Sequence, residues 1–267
     1  MRPRSSPRRA ALTTLALCLA TTAARADPPV DGEGEAATPH EVLGARSVDS
    51  GAFLPLGVPA RGDAQRAYVH LQGGYDTGAG GPVFEGTAQA RLYGPLSLRA
   101  GFGYVGPDGD GRPSVALTMD LLRQARHGVD LAVYAGYQGH GFNTVPAVAL
   151  TLALGRSFGP VNLLANVGYG LGLEEGEHYG EARLAALVRV HRVLSIGLDA
   201  RARLDLERDA DEPDGEPDWD LVAGPLATLS IDRFVVGVGG GLAATKFRAG
   251  GDLRAGAIAQ LSLGVAF

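Results

Sequence analysis

Beyond residue 26 the chain contains no cysteine, because its one cysteine is Cys18. Whatever stabilises the remainder does so without disulfides. Lysine is nearly missing too: Lys246 stands alone, and arginine supplies the other basic residues. No run of about 18 apolar residues follows residue 26, which excludes a membrane-spanning helix there. Capped helical patterns of the kind an ordinary α/β enzyme would show are also lacking. A basic excess is absent: the net charge is −5, and setting aside the five arginines of 1–26, a segment without acids, takes it to about −10. That balance argues against a nucleic-acid partner.

Residues 1–26 have the make-up of a secretory signal peptide. Arg2, Arg4, Arg8 and Arg9 form a basic start, Ala10 to Ala20 an apolar stretch, and Ala24-Arg25-Ala26 a small-residue cleavage site. The apolar stretch is too short to span a bilayer as a helix. Leu17 precedes Cys18 where lipidation would want a small residue, so no lipid anchor is expected. Cleavage would leave Asp27 at the new N-terminus. Residues 27–64 are acidic and rich in Pro and Gly, and they include Phe53-Leu54-Pro55-Leu56.

From residue 65 the pattern changes. Glycine, 40 of 267 residues, shows no Gly-X-Y period. Instead, apolar and polar residues alternate in twelve short segments, near 65–75, 83–93, 96–105, 114–122, 129–138, 146–156, 160–171, 181–190, 194–205, 219–230, 233–243 and 253–267. A period of two puts alternate side chains on opposite faces of a strand. Each segment is close to the 9–11 residues that a tilted strand needs to cross a bilayer. The segment 219–230 is the least regular, because Pro225 interrupts it. Connections alternate as well. Gly94-Pro95, Arg123 to Gly128, Ser157 to Gly159, His191 to Val193 and Ile231-Asp232 are short. The intervening ones, such as Gly106 to Pro113 and Leu206 to Asp218, are longer and more polar.

One face of these segments is apolar, with Val69, Leu71, Leu98, Phe102, Leu117, Leu131, Leu163, Val167, Leu184, Val188, Ile196 and Leu198 among its members. The other carries Glu85, Arg91, Arg99, Asp120, Asp130, Arg183, Arg189, Asp199, Arg201, Arg203 and Arg254. Tyr75, Phe84, Tyr104, Tyr137, Tyr169 and Trp219 have the parity of the apolar face and gather at the long-loop ends. Rings at one level suit a membrane interface, whereas the core aromatics of a soluble sandwich would be spread along the strands.

The chain from 65 to 267 thus resembles the bacterial outer-membrane β-barrel proteins as a broad, porin-like class. The resemblance implies an all-β, antiparallel up-and-down transmembrane barrel of about twelve strands, located in the bacterial outer membrane after Sec export. Its most specific element is the last strand, with Leu263, Val265 and Phe267 on one face. In that class such an ending is read by the barrel-assembly machinery, a transient partner. Outer-membrane lipid and lipopolysaccharide are the other expected partners, and a monomer is expected. Residues 27–64 would be a periplasmic extension or a plug.

Twelve strands imply a backbone diameter of roughly 24 Å. Simple hairpin registers align Arg91, Arg99, Asp120 and Asp130 in one row near the periplasmic end. A second group joins Glu181, Arg183, Asp199, Arg201, Arg203 and Asp220. These charges of mixed sign fit either a constriction that selects small polar solutes or a salt-bridged interior. Gly237, Gly239 and Gly241 face inward with Val235, which suggests either sharp wall curvature or a surface covered by another segment. Asp209 to Asp220 reads as a solvated acidic loop, since Pro213 stands where a calcium loop wants a ligand. Asp108 to Gly111 reads as a turn-rich loop, and Gly237 to Gly241 lacks the residues of a phosphate loop. Glu175 and His178 have metal-like spacing without a second copy, His70 faces the lumen without an evident serine partner, and His140 and His178 fall in separate outer loops. No metal, cofactor or catalytic residue is expected. The functional expectation is a small passive pore or a structural outer-membrane protein. The alternatives are a barrel that binds surfaces through its outer loops and a membrane-embedded lipid-modifying enzyme.

Overall fold

The computed structural model describes residues 67–77, 81–105, 110–139, 146–173, 178–206, 217–247 and 253–267. Residues 1–64 and most of the long loops lie outside these residues, as do His140 and Glu175. Among the described residues twelve antiparallel strands close into one barrel in chain order. They are β1 (Ala67–Asp76), β2 (Gly81–Tyr93), β3 (Leu96–Val105), β4 (Asp110–Leu122), β5 (Asp130–Gln138) and β6 (Ala147–Phe158). The circle continues through β7 (Val161–Gly172), β8 (His178–His191), β9 (Leu194–Asp205), β10 (Pro217–Ile231), β11 (Phe234–Phe247) and β12 (Leu253–Ala266). β1 closes on β12, and Ala67 and Phe267 exchange backbone hydrogen bonds of 3.3 and 2.9 Å at the seam. Both ends of the barrel therefore lie on the short-turn side.

The alternation in the sequence becomes alternation in burial, with the faces reversed relative to a water-soluble sheet. In β6, Ala147, Ala149, Thr151 and Ala153 are buried, while Val148, Leu150, Leu152 and Leu154 are exposed. The same holds around the wall: Val167 is 64% exposed and Leu242 74%, whereas Arg183 is 1% exposed. A soluble sandwich buries its apolar face. A wall that shows aliphatic side chains on all sides and turns its charges inward is at equilibrium only in hydrocarbon. Ile258, the apolar exception on the inward face of β12, is buried against Val222 and Ala243.

Turn chemistry explains the short connections. Gly94 (φ 51°), Gly159 (φ 58°) and Asp232 (φ 49°) each open a two-residue turn in the left-handed region, as tight hairpins favour, and the fourth such turn, Arg192-Val193, has no positive φ. The fifth short connection is a four-residue helical turn, α1 (Gln124–His127), ended by Gly128 at φ 77°. The Gln124 side chain braces it against the next hairpin: its Nε2 donates to the Ser157 carbonyl (3.0 Å), and its Oε1 accepts from the Ser157 N–H (2.7 Å).

Two strands differ from the sequence pattern around proline. β4 begins at Asp110, four residues before the expected start. Pro113 is accommodated in the ladder, where its carbonyl accepts the Gly139 N–H at 2.6 Å. β10 runs unbroken through Pro225, and the pairing keeps one register on either side of it, from Ala223↔Leu242 to Leu226↔Gly239. Here the two backbones pinch together. A Cβ on Gly241 would meet the Ala223 carbonyl oxygen and would come within 2.9 Å of the Gly224 Cα. At Gly241, at least, the glycine stripe of β11 is a requirement of close backbone approach.

Replacing Gly241 by Val should therefore prevent the barrel from closing normally, while Gly73→Ala, where the nearest atom lies 3.8 Å away, should be tolerated. The readout is the heat-dependent mobility shift of the folded barrel on electrophoresis. Loss for G241V with retention for G73A is expected, and G241V folding as well as wild type would refute the pinch.

Candidate functional site

The strongest concentration of ionised groups lies on the inner wall of β8, β9 and β10. Register places Glu181 opposite Arg203, Arg183 opposite Arg201, and Arg203 opposite Asp220. Asp220 is the hub. Its Oδ2 accepts from Nη2 of Arg201 and from Nη2 of Arg203, both at 2.7 Å, and Arg203 Nε adds a contact of 3.2 Å to Oδ1. Arg183 pairs with Glu181 on its own strand. Asp199 lies two residues before Arg201 on the same face, opposite Ala185. All of these side chains are buried or half-buried. Pairing of this kind offsets part of the cost of removing charge from water. The adjacent loop acid Asp218 is not in the lumen but at the outer rim, where it meets Lys246 at 3.5 Å. Asp209, Asp211, Glu212, Asp214 and Glu216 lie outside the described residues.

The row expected on β2 to β5 does not form as anticipated. Arg99 faces Gln89 and Ala116, not Asp120. The early start of β4 shortens the loop and shifts the pairing by four residues. Arg91 lies opposite Ser97. Asp120 sits at the level of the Gly94-Pro95 turn, where its N–H donates to the Pro95 carbonyl (3.1 Å). Asp130 acts locally, since its Oδ1 accepts the Gln124 N–H at 2.6 Å and so fixes the start of α1. Glu85 is buried and accepts from Gln72 Nε2 at 2.9 Å. Arg189 lies opposite Ser195 near a short turn, and Arg254 is exposed near the outer mouth, opposite Thr245.

Strand order and strand position combine these groups into one level. In a closed ring of twelve, β2 is six strands from β8 and β3 is six from β9, so they face each other across the lumen. Glu85 precedes the Gly94 turn by nine residues, Arg183 precedes Arg192 by nine, and Arg201 follows Val193 by eight. A carboxylate on one wall thus stands at the height of a mixed cluster on the other, where Arg183, Arg201 and Arg203 are balanced by Glu181, Asp199 and Asp220. Inward positions on the walls in between are Ala147, Ala149, Thr151 and Ala153 on β6, and Ile258, Gln260, Ser262 and Gly264 on β12 across from it, all of them buried.

Inward tyrosines, which alternation alone did not single out, pack on glycines and on neighbouring strands. The Tyr68 ring lies over Gly264 and the Tyr179 ring over Gly170, where a Cβ would collide with each ring. Tyr179 then donates to Gln138 Oε1 at 2.7 Å. Tyr134 is buried with Ala132 and Ala153. His70 lies beside Tyr68, its ring stacked at 6.2 Å, between Thr87 and Gly264. His178 hydrogen-bonds the Tyr169 hydroxyl at the outer rim.

On the outer wall Tyr75, Phe84, Tyr137 and Tyr169 are exposed and Tyr104 and Trp219 half-exposed, all at the long-loop end. Phe84 and Tyr104 are direct cross-strand partners. The sequence pattern missed a second set at the other end: Tyr93, Phe158 and Phe234, with the terminal Phe267 completing it. Tyr93 escaped because a register shift between Arg91 and Tyr93 resets its parity, and Phe158 because it falls in a stretch read as turn. The outer wall also carries a cation near this end. Arg156 points out from β6, with its guanidinium carbon 4.3 Å from the centre of the Phe158 ring.

An even-stranded closed barrel with aliphatic exterior, two aromatic levels, tight turns on one side and buried charges is a bacterial outer-membrane β-barrel. The outer membrane is where such a wall is stable. No protein-family model matches the chain, and no curated protein sequence does. Among solved structures, the chain resembles the NanC porin at a TM-score of 0.52 and 9% identity, covering 74% of this chain and 100% of that one. It also matches the KdgM porin (TM-score 0.48, 7% identity, 75% and 99% covered). A third match is the outer membrane channel DcaP of Acinetobacter baumannii (0.43, 10%, 70% and 63%). At such identities the likeness to NanC establishes the fold.

Asp220 anchors two arginines, so Asp220→Ala should cost about 3 kcal/mol of stability, in the range for breaking a buried ion pair. Lys246→Ala removes the exposed rim pair and should cost under about 1 kcal/mol. Urea unfolding of the barrel in lipid vesicles measures both. Equal, small effects would show that Asp220 does not hold the cluster.

Proposed function

We propose that this barrel is a passive, non-catalytic pore of the bacterial outer membrane for small polar solutes. The observation that carries the reading is the single level at which Glu85 on β2 opposes Arg183 and Arg201 on β8 and β9. Glu85 on one wall and the balanced arginine–carboxylate pairs on the other give a constriction of mixed sign, which suits small polar or zwitterionic solutes over ions of either charge. At this level the inward side chains of β6 and β12 are buried beneath their neighbours, so a solute passes only where the longer inward side chains swing aside.

The reading includes export by the segment 1–26 and recognition of the last strand by the barrel-assembly machinery. Phe267 supports the latter: it is exposed at the β1–β12 seam, where closure of the barrel would bury an assembly contact last. Lipopolysaccharide would lie against the outer aromatic level, and one copy of the chain would suffice for passage. A role in surface binding would rest on the outer loops, most of which lie outside the described residues.

Single-channel recording in planar bilayers tests the pore. Steady open steps are expected. Arg183→Gln with Arg201→Gln should shift the reversal potential toward cation preference, and Glu85→Gln should shift it toward anions. A folded, heat-modifiable barrel that gives no steps would overturn the reading in favour of a structural wall element.

A further inference from the structure

The outer wall of β6 to β10 is not smooth. Across β7 to β9, two neighbouring lateral rows of outward side chains alternate large and small, out of step with each other. One runs Leu154, Ala165, Leu184, Ala200, Ala223, and the next runs Arg156, Leu163, Ala186, Leu198. The alanines form a floor and the leucines the sides of a trough of about 810 Å³, within the range of small-molecule pockets. Arg156 and Phe158 close one end of it.

The trough climbs through the membrane. Arg156 is three residues from the short turn at Gly159, Ala186 six residues from Arg192, and Ala223 nine residues from Asp232. At ~3.3 Å per residue and a strand tilt of ~40°, these positions lie roughly 8, 15 and 23 Å from the turns along the bilayer normal. The cationic end is therefore at the periplasmic interface and the alanine floor ends deep in the apolar band. The Phe158 ring under the guanidinium keeps the cation at that level.

From this geometry we infer that the trough is a binding site for a glycerophospholipid of the periplasmic leaflet. The phosphodiester takes charge-assisted hydrogen bonds from Arg156, and an acyl chain lies along Ala165, Ala186 and Ala200. Charge complementarity selects the occupant. A guanidinium on an otherwise apolar wall fits a phosphate with a chain attached, and its position at the short-turn end selects the phospholipid leaflet over lipopolysaccharide. The site is independent of the lumen, so pore activity and lipid binding can fail separately.

The test is native mass spectrometry of the protein extracted from membranes in detergent and titrated with dioleoyl-phosphatidylglycerol. Wild type should retain one lipid. Arg156→Gln should lower occupancy about ten-fold, the scale of one charge-assisted hydrogen bond, and Arg156→Lys should recover part of it. Ala186→Phe, which fills the floor, should abolish the adduct while the barrel stays heat-modifiable. Equal occupancy in wild type, R156Q and A186F would overturn the proposal. So would a wild-type dimer or trimer that A186F dissociates, since the trough would then be an interface between copies of the chain.

Discussion

The constraint on which everything else depends is that hydrocarbon offers no partner to a backbone N–H or C=O. Each strand must find both neighbours, so the ladder has to close, and the seam between Ala67 and Phe267 is where it does. Closure forces tight turns on one side. Three of those turns use left-handed residues, at Gly94, Gly159 and Asp232. It also explains why proline is tolerated where it is. Pro113 still supplies a carbonyl to the ladder, and Pro225 sits where Gly224, Gly240 and Gly241 let the strands close up around it. The high glycine content has at least two structural uses here. Gly224 and Gly241 let backbones approach, and Gly170 and Gly264 give tyrosine rings a place to lie flat.

Closing the sheet creates an inner face that must hold polar groups at low hydration. The wall answers this differently from strand to strand. On β8 to β10 it gathers arginines around Asp220 and Glu181, and on β2 it sets Glu85 against Gln72. On β6 it avoids the problem with alanine and threonine. A lumen with mixed, paired charge on two facing sides and shorter side chains between them follows from this distribution.

Much of this was legible in the sequence because period-two alternation is a local signal. β9 spans 194 to 205 as the pattern indicates, and Glu181, Arg183, Arg201 and Arg203 come together because a two-residue turn joins β8 to β9, with Asp220 meeting them from β10. Register across a longer loop is different. The loop after β3 lost residues 110–113 to β4, and the shift of four separated Arg99 from Asp120. Alternation says which face a residue takes, and it says nothing about how far a strand continues into its loop. Bulges defeat it in another way. The irregularity before Tyr93 reverses parity for one residue, and that residue is 85% exposed on the wall. Asp130 shows a third limit: its face was readable, but its bond to the Gln124 N–H depends on a helical turn with no apolar period of its own.

Strand tilt links the inside of the wall to the outside. In a sheared barrel a row of hydrogen-bonded neighbours is perpendicular to the strands and so inclined to the membrane. Following one row from Arg156 to Ala186 and on to β10 moves stepwise away from the short turns. Side chains that are neighbours in the sheet thus lie at different depths, and side chains at one depth come from different rows. The lumen exploits the second relation, since Glu85 and Arg183 share a depth without sharing a row. The outer trough exploits the first, since its floor runs from the interface into the apolar band along adjoining rows. Lateral neighbours alone would group Arg156 with the mid-membrane leucines. Counting residues from the turns assigns it to the interface, where a cation can remain hydrated or meet a phosphate.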